Sequence, residues 1–157
     1  MPPKPLVDLD SLDLETVVAG PEKIRAHNPQ RYEMEHLDGI PHLDIEEGVV
    51  VGFKDVADDE FWVEGHIPGR PLLPGVIMCE AAAQLSSYIY QEQISMDKFL
   101  GFGGMQDVKF RRPVKPGQRL ILVARARDVR TRRAMYATQG FVNGKMVFEA
   151  VIVGMPM

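Results

Sequence analysis

The 157-residue chain lacks the features that would assign it to several large classes of protein. Its single cysteine, Cys79, excludes an intrachain disulfide framework, and no metal-ligand spacing surrounds it. Repeats and low-complexity segments are missing, so neither a solenoid nor a disordered linker is expected. The net charge of −4 gives no case for binding nucleic acid or a membrane. The remaining composition, 45% hydrophobic and 25% charged, is that of a globular protein with one core.

The start of the chain also lacks an apolar run of the kind that opens a signal peptide. We therefore expect a reducing, cytoplasmic compartment and one domain covering residues 1–157. Residues 1–30 are expected to form an N-terminal extension, loosely ordered over residues 1–10. Two short helices are predicted there, one capped by Ser11 and ending at Gly20, the other running from Pro21 to Ala26.

The chain is organised around residues 65–90, a proline-rich loop followed by an apolar helix. Three prolines in seven residues, Pro68, Pro71 and Pro74, stiffen the loop and exclude both helix and central strand. Pro74 suits a first helical position, and residues 76–90 contain neither glycine nor proline. Because that helix is apolar nearly all round, it is predicted to be buried.

One polar line crosses this helix at spacings of four, three and four residues, formed by Glu80, Gln84, Ser87 and Gln91. A carboxyl group on an apolar helix is either a catalytic acid or a cap for a buried backbone group. His66, fourteen residues before Glu80, would supply a base with a pKa near neutral pH. The helix start at Gly75 and Val76 offers free N–H groups that could hold a developing oxyanion.

The rest of the chain predicts an α+β protein with an antiparallel sheet, because several strand patterns follow one buried helix without βαβ alternation. Strands are expected at residues 46–56, from residue 108, and at 120–129, 132–142 and 145–155. Asn143-Gly144 predicts a tight hairpin between the last two strands. Residues 99–104, which combine two phenylalanines with three glycines, are expected to be mobile.

Two blocks of sequence resemble the β-hydroxyacyl-acyl carrier protein dehydratases of dissociated (type II) fatty acid synthesis. The first is His66-Ile67-Pro68-Gly69-Arg70-Pro71-Leu72-Leu73-Pro74-Gly75-Val76, followed by Glu80 and Ala83-Gln84. The second runs from Phe102 to Gln118 and contains Lys109-Phe110-Arg111-Arg112-Pro113-Val114. The resemblance covers roughly residues 46–153 and implies a hot-dog fold, in which a curved antiparallel sheet wraps a long central helix.

The resemblance also implies site residues and partners. His66 would be the catalytic base and Glu80 the partner acid, drawn from opposite subunits of a homodimer, with hexamers of three dimers left open. Phe99 or Phe102 would take the place of a gating aromatic residue, or both would only fill the core. The other substrate-binding candidates are Gly75, Val76, Gln84 and Arg70. No metal and no cofactor is implied.

The expected substrate is a (3R)-3-hydroxyacyl group on an acyl carrier protein, which would become a trans-2-enoyl group. Since carrier proteins are strongly acidic, two basic clusters would hold one, at residues 109–119 and 125–133, although the second also fits a solvated strand face. Two alternatives stay open: a hot-dog thioesterase in which Glu80 activates water, and a non-catalytic acyl-binding protein.

One segment departs from the family pattern. The family follows an Arg-Tyr pair with proline and an apolar strand, whereas Arg31-Tyr32 is followed here by Glu33-Met34-Glu35-His36. How this segment contributes to the acyl tunnel is therefore open. His27, His36 and His42 are expected at the surface, without catalytic roles.

Overall fold

The computed structural model describes residues 3–157, and within that range six strands form one antiparallel sheet against a long helix. The helices are α1 (Pro21–His27) and α2 (Gly75–Gln93). The strands are β1 (Gly39–Asp44), β2 (Val49–Asp55), β3 (Leu100–Phe110), β4 (Arg119–Val129), β5 (Ala134–Val142) and β6 (Lys145–Pro156). Their order across the sheet is β1-β2-β4-β5-β6-β3. This is the hot-dog fold that the resemblance implied.

Helix α2 lies against one face of the sheet and forms the main core. Its Leu85, Tyr88 and Ile89 are fully buried, as are Leu122 and Phe148 from the sheet. No helix in residues 3–157 is long and apolar enough to cross a membrane. Pro74 was expected at the first helical position, but it is the N-cap, with φ −59° and ψ 135°, and the helix begins one residue later, at Gly75.

The opposite face of the sheet is covered by an N-terminal strap, which we define as residues 3–20. Leucines 6, 9, 12 and 14 pack with Val7 on a second cluster made of Val49, Val51, Val123, Phe141 and Met146. The amide of Gln139 accepts from the Leu6 N–H at 2.8 Å and donates to the Lys4 carbonyl at 3.1 Å. The loosely ordered lead-in predicted for residues 1–10 is therefore wrong for the described residues 3–10.

The helix predicted from Ser11 to Gly20 is also wrong, since only a short 3-10 turn forms, at Leu9–Ser11. The Asp13 carboxylate accepts the backbone N–H groups of Glu15 and Thr16, and such local bonds compete with helix formation. The second predicted helix is confirmed as α1.

Strand β3 starts eight residues earlier than expected, at Leu100, so the stretch predicted to be mobile is part of the sheet. Its glycines allow close packing against β6. A Cβ atom on Gly101 would collide with the Met157 side chain, and one on Gly154 of β6 would collide with Leu100. The Asn143-Gly144 turn is confirmed, because both residues have positive φ, 51° and 76°.

Candidate active site

The loop before α2 fixes the orientation of the His66 ring. The His66 backbone N–H donates to the Trp62 carbonyl at 2.9 Å, and ring Nδ1 lies 2.8 Å from the Leu72 carbonyl oxygen. A carbonyl oxygen only accepts, so Nδ1 carries the proton of the neutral ring. Nε2 is left as the basic nitrogen of an exposed side chain. The geometry is that of a general base whose tautomer is set by its own loop.

The first turn of α2 supplies unused hydrogen-bond donors beside this histidine. The Pro74 carbonyl accepts from the N–H groups of Ile77 and Met78, at 2.9 and 3.3 Å. The N–H groups of Gly75 and Val76 form no hydrogen bond within the described chain, and the Val76 side chain is exposed. Two free N–H groups at a helix N-terminus can stabilise negative charge on a substrate oxygen.

His66, Gly75 and Val76 line one open pocket of about 520 Å³. Its other wall is the end of β3 and the residues after it, Phe110–Pro113. Arg111 and Arg112 were expected only in the basic cluster that would hold a carrier protein, and Phe110 and Pro113 were not predicted as site residues. A Cβ atom on Gly75 would come within 2.8 Å of the Phe110 ring, so glycine lets that ring lie against the helix start. The sequence signal that could have identified Phe110 is its place in the second family block.

Glu80 lies one turn after Val76 on α2, but it does not line the His66 pocket. It is half-buried, less than we expected, and its Oε1 accepts a hydrogen bond from Gln84 Nε2 at 2.9 Å. Gln84 is buried and also contacts the backbone of residues 34–36. Gln84 therefore contacts Glu80 and not the pocket.

Three predicted binding residues do not line the pocket of their own chain. Phe102 and Phe110 lie at opposite ends of β3, and their partners on β6, Gly154 and Phe148, are six residues apart, which at about 3.3 Å per residue separates the two by roughly 20 Å. Phe99 is half-buried just before the strand starts, and Arg70 is exposed in the loop. None of these three side chains lines the His66 pocket of the same chain.

Two of the three other histidines are buried, so their prediction as surface residues is wrong. His27 lies between the Lys23 carbonyl and the Glu92 carboxylate, at 2.9 and 2.8 Å. His36 is 1% exposed, with Nδ1 3.4 Å from Lys54 Nζ. Cys79, which precedes Glu80 on α2, is buried, and burial raises the pKa of its thiol, which disfavours the nucleophilic thiolate.

The basic residues divide between the two ends of the sheet. At the Phe110 end, Arg111 pairs with Glu149 and Arg119 with Asp55, while Arg112 and Lys115 are exposed and form no ion pair within the described residues. The tip of the β4–β5 hairpin, Arg130–Arg133, lies at the Phe102 end of the sheet. The first residue of β5 pairs with Gly154 of β6, and Gly154 also pairs with Phe102.

Comparison with known proteins gives the family. A family model described as a FabA-like domain matches residues 28–151. The chain belongs to the FabA-like family. It is 36% identical over 133 residues to a 3-hydroxyacyl-[acyl-carrier-protein] dehydratase FabZ of Syntrophobacter fumaroxidans, covering 83% of this chain and 89% of that one. A FabZ of Herpetosiphon aurantiacus is 38% identical over 130 residues, with 82% and 91% covered.

Solved structures agree on the fold of this FabA-like protein. The dehydratase heterocomplex ApeI:P of Xenorhabdus doucetiae matches with a TM-score of 0.70 at 12% identity, over 85% of this chain and 90% of that one. The PaaI protein of E. coli matches with a TM-score of 0.59 at 18% identity, over 74% and 80%. At these identities the likeness concerns the fold alone.

Proposed function

We propose that this protein dehydrates (3R)-3-hydroxyacyl-acyl carrier protein to the trans-2-enoyl thioester in fatty acid biosynthesis. The observation that carries the proposal is the free Nε2 of His66 in a pocket that also holds the two unbonded N–H groups of Gly75 and Val76. A base and an oxyanion site beside each other are what removal of a proton next to a thioester carbonyl requires.

In the proposed reaction, His66 Nε2 takes the α-proton while the N–H groups of Gly75 and Val76 stabilise the enolate-like thioester oxygen. Glu80 gives a proton to the β-hydroxyl group, the C–O bond breaks and water leaves. The α-carbon electron pair forms the new double bond. The reaction is a loss of water without net oxidation or reduction, so it needs no redox cofactor.

The proposal requires a homodimer, because His66 and Glu80 of one chain do not line the same pocket. The exposed edge strand supports this. Among residues 3–157, strand β3 pairs only with β6, and apolar Phe102 and Met105 are exposed along it. A long apolar edge is normally paired or covered. Antiparallel pairing of two β3 strands would bring Phe102 of one subunit near the Phe110 end of its partner, and so near the partner's pocket.

The same pairing favours a carrier-protein surface shared by two subunits. The Arg130–Arg133 tip lies at the Phe102 end of its own subunit. Antiparallel pairing would therefore place this tip on the same side of the joined sheet as the partner's Phe110 end, where the partner's pocket lies. Arg112 and Lys115 already lie at that end of the pocket's own subunit. A basic rim assembled from both chains would attract an acidic carrier protein and orient its acyl group towards the pocket. The Arg70 side chain, exposed in the loop that carries His66, belongs to the same surface.

The test is an assay with 3-hydroxyacyl-acyl carrier protein that follows enoyl formation and free thiol release in parallel. We expect the wild-type protein to form the enoyl product without releasing thiol. We expect the His66→Ala variant to form no enoyl product. His42→Ala, at a half-buried histidine on β1, is the matched control and should keep full turnover. Thiol release without enoyl product would support the thioesterase alternative. Near-normal turnover by His66→Ala would exclude His66 as the base.

A further inference from the structure

The N-terminal strap lies outside the segment that matches the family model, which begins at residue 28. It covers the face of the sheet opposite α2, which we call the outer face. Five side chains from four strands form an apolar cluster there, separate from the core around α2: Val49, Val51, Val123, Phe141 and Met146. Each is at most 7% exposed. The partly buried apolar residues packed on this cluster come from the strap and from Ile121 of β4, so without the strap the cluster would be exposed.

The middle of the strap is held to the outer face by its leucines. Hydrogen bonds to the rest of the described chain lie at the two ends of the strap. Near its start, the Leu6 N–H donates to Gln139, and the Leu6 carbonyl accepts from Arg125 at 2.9 Å. Near its end, the backbone of residues 18–19 pairs with Ile40 of β1. The hydrogen bonds of residues 8–16 stay within the strap, so side-chain packing keeps this stretch on the sheet.

The solvent side of the strap has the opposite character. Asp8, Asp10, Asp13 and Glu15 are exposed and lie between and beside the leucines that face the sheet. Residues 8–15 contain no lysine or arginine. The strap therefore replaces an apolar surface by an acidic one. Two copies that present this acidic surface repel each other, whereas two uncovered outer faces would associate.

We propose that the strap prevents self-association by covering, in cis, a face on which the outer face of a second copy would otherwise pack. A second copy fits because the apolar cluster extends across four strands, and two sheets can stack face to face about 10 Å apart. A two-fold axis would bring the same patch of both copies together. The proposal does not depend on the proposed function.

The size of the resulting assembly follows from the homodimer proposed above. Antiparallel pairing of two β3 strands would place the outer faces of both subunits on the same side of the joined sheet. Two dimers without their straps would then stack through this side, and the mass of the particle would double.

The test compares two ways of lifting the strap in the full-length protein. Leu9→Asn with Leu12→Asn, the leucine variant, removes packing from the strap side and leaves the outer face apolar. Val51→Lys removes packing from the sheet side and places a charge on the outer face. The two readouts are the mass from light scattering at increasing protein concentration and hydrogen exchange at the Leu6 N–H, which Gln139 protects.

Both variants should exchange the Leu6 N–H at least about tenfold faster than the wild-type protein, because apolar packing under the strap is lost. The leucine variant should reach twice the wild-type mass and return to the wild-type mass on dilution. Val51→Lys should keep the wild-type mass, because a charged face does not pack on its own copy. Val17→Asn with Val18→Asn is the matched control. These strap side chains are 45% and 53% exposed, so mass and exchange should both stay at wild-type values.

Three results would overturn the proposal. Fast exchange with an unchanged mass in the leucine variant would show that the uncovered face does not associate. Unchanged exchange in that variant would show that the leucines do not hold the strap. Equal masses in the leucine variant and Val51→Lys would show that the outer face is not the contact.

A combined variant keeps the test decisive if the leucine variant precipitates. Val51→Lys added to the leucine variant should restore a soluble protein of wild-type mass, because the charge opposes packing of two outer faces. Precipitation that persists in the combined variant would overturn the proposal, since it would not arise from this face.

Discussion

Acidification from pH 7 to pH 4.5 should destabilise this protein through one buried side chain, His36. Burial, and then the positive charge of Lys54, lower the pKa of His36 from 6.5 to about 4, while the Glu60 carboxylate acts in the opposite direction. Between these two values the unfolded chain binds a proton that the folded protein does not. Stability is therefore complete above about pH 6.5 and falls as the pH drops towards 4.

The size of the effect follows from the two pKa values. At pH 4.5 the difference in proton binding corresponds to about 2 kcal/mol, and it approaches about 3 kcal/mol once the pH is below both values. Against a total of roughly 5–15 kcal/mol for a typical domain, such a loss is easily measured. Lys54 and Glu60 are the charged groups that face the ring.

The assay is urea unfolding at pH 7, 5.5 and 4.5, at one fixed protein concentration. The comparison protein is His36→Asn, because an asparagine Oδ1 can accept from Lys54 as Nδ1 does but does not titrate. Other groups, Glu60 included, titrate in both proteins and cancel. The wild-type protein should lose about 2 kcal/mol more than His36→Asn between pH 7 and 4.5. Parallel losses would refute the reasoning.

Two further predictions concern the dimer and the carrier protein. Mixing inactive His66→Ala subunits with inactive Glu80→Gln subunits should restore activity after subunit exchange, because each mixed dimer regains one intact pair; activity that stays flat after confirmed exchange would contradict a shared site. Replacing Arg132 and Arg133 by Glu should raise KM for acyl carrier protein about tenfold and weaken its salt dependence; an equal loss with a short synthetic thioester would contradict carrier docking at this hairpin.

The parts of the fold that could be predicted from sequence are those set by neighbouring residues. The Asn143-Gly144 turn depends on two residues that accept positive φ, and the start of α2 on the proline before it. His66 and Glu80 were identified because both stand at fixed offsets around one stiff loop. Their placement in a shared site remains a prediction.

The parts that could not be predicted depend on partners far along the chain. The glycines near the start of β3 indicated flexibility, but they permit close contact with β6, more than 50 residues later. The polar rings of His27 and His36 predicted surface positions, but both rings are buried, where Glu92 and Lys54 provide them with hydrogen-bond partners. The hydrogen bonds between Gln84 and the backbone of residues 34 and 36 carry no sequence signal, since every residue type provides a carbonyl and every one but proline an N–H.

The N-terminal strap has a consequence for how the protein is made. Its leucines are synthesised before the sheet that they cover, and the Gln139 side chain that binds the Leu6 backbone comes 133 residues later. At roughly 5–20 residues per second, the ribosome needs on the order of 10 s to provide that partner. Until then the sheet is incomplete, so neither the leucines of the strap nor the β2 valines that they cover can be fully buried. This apolar segment thus stays exposed until the sheet is complete, and chaperones have that interval to bind it.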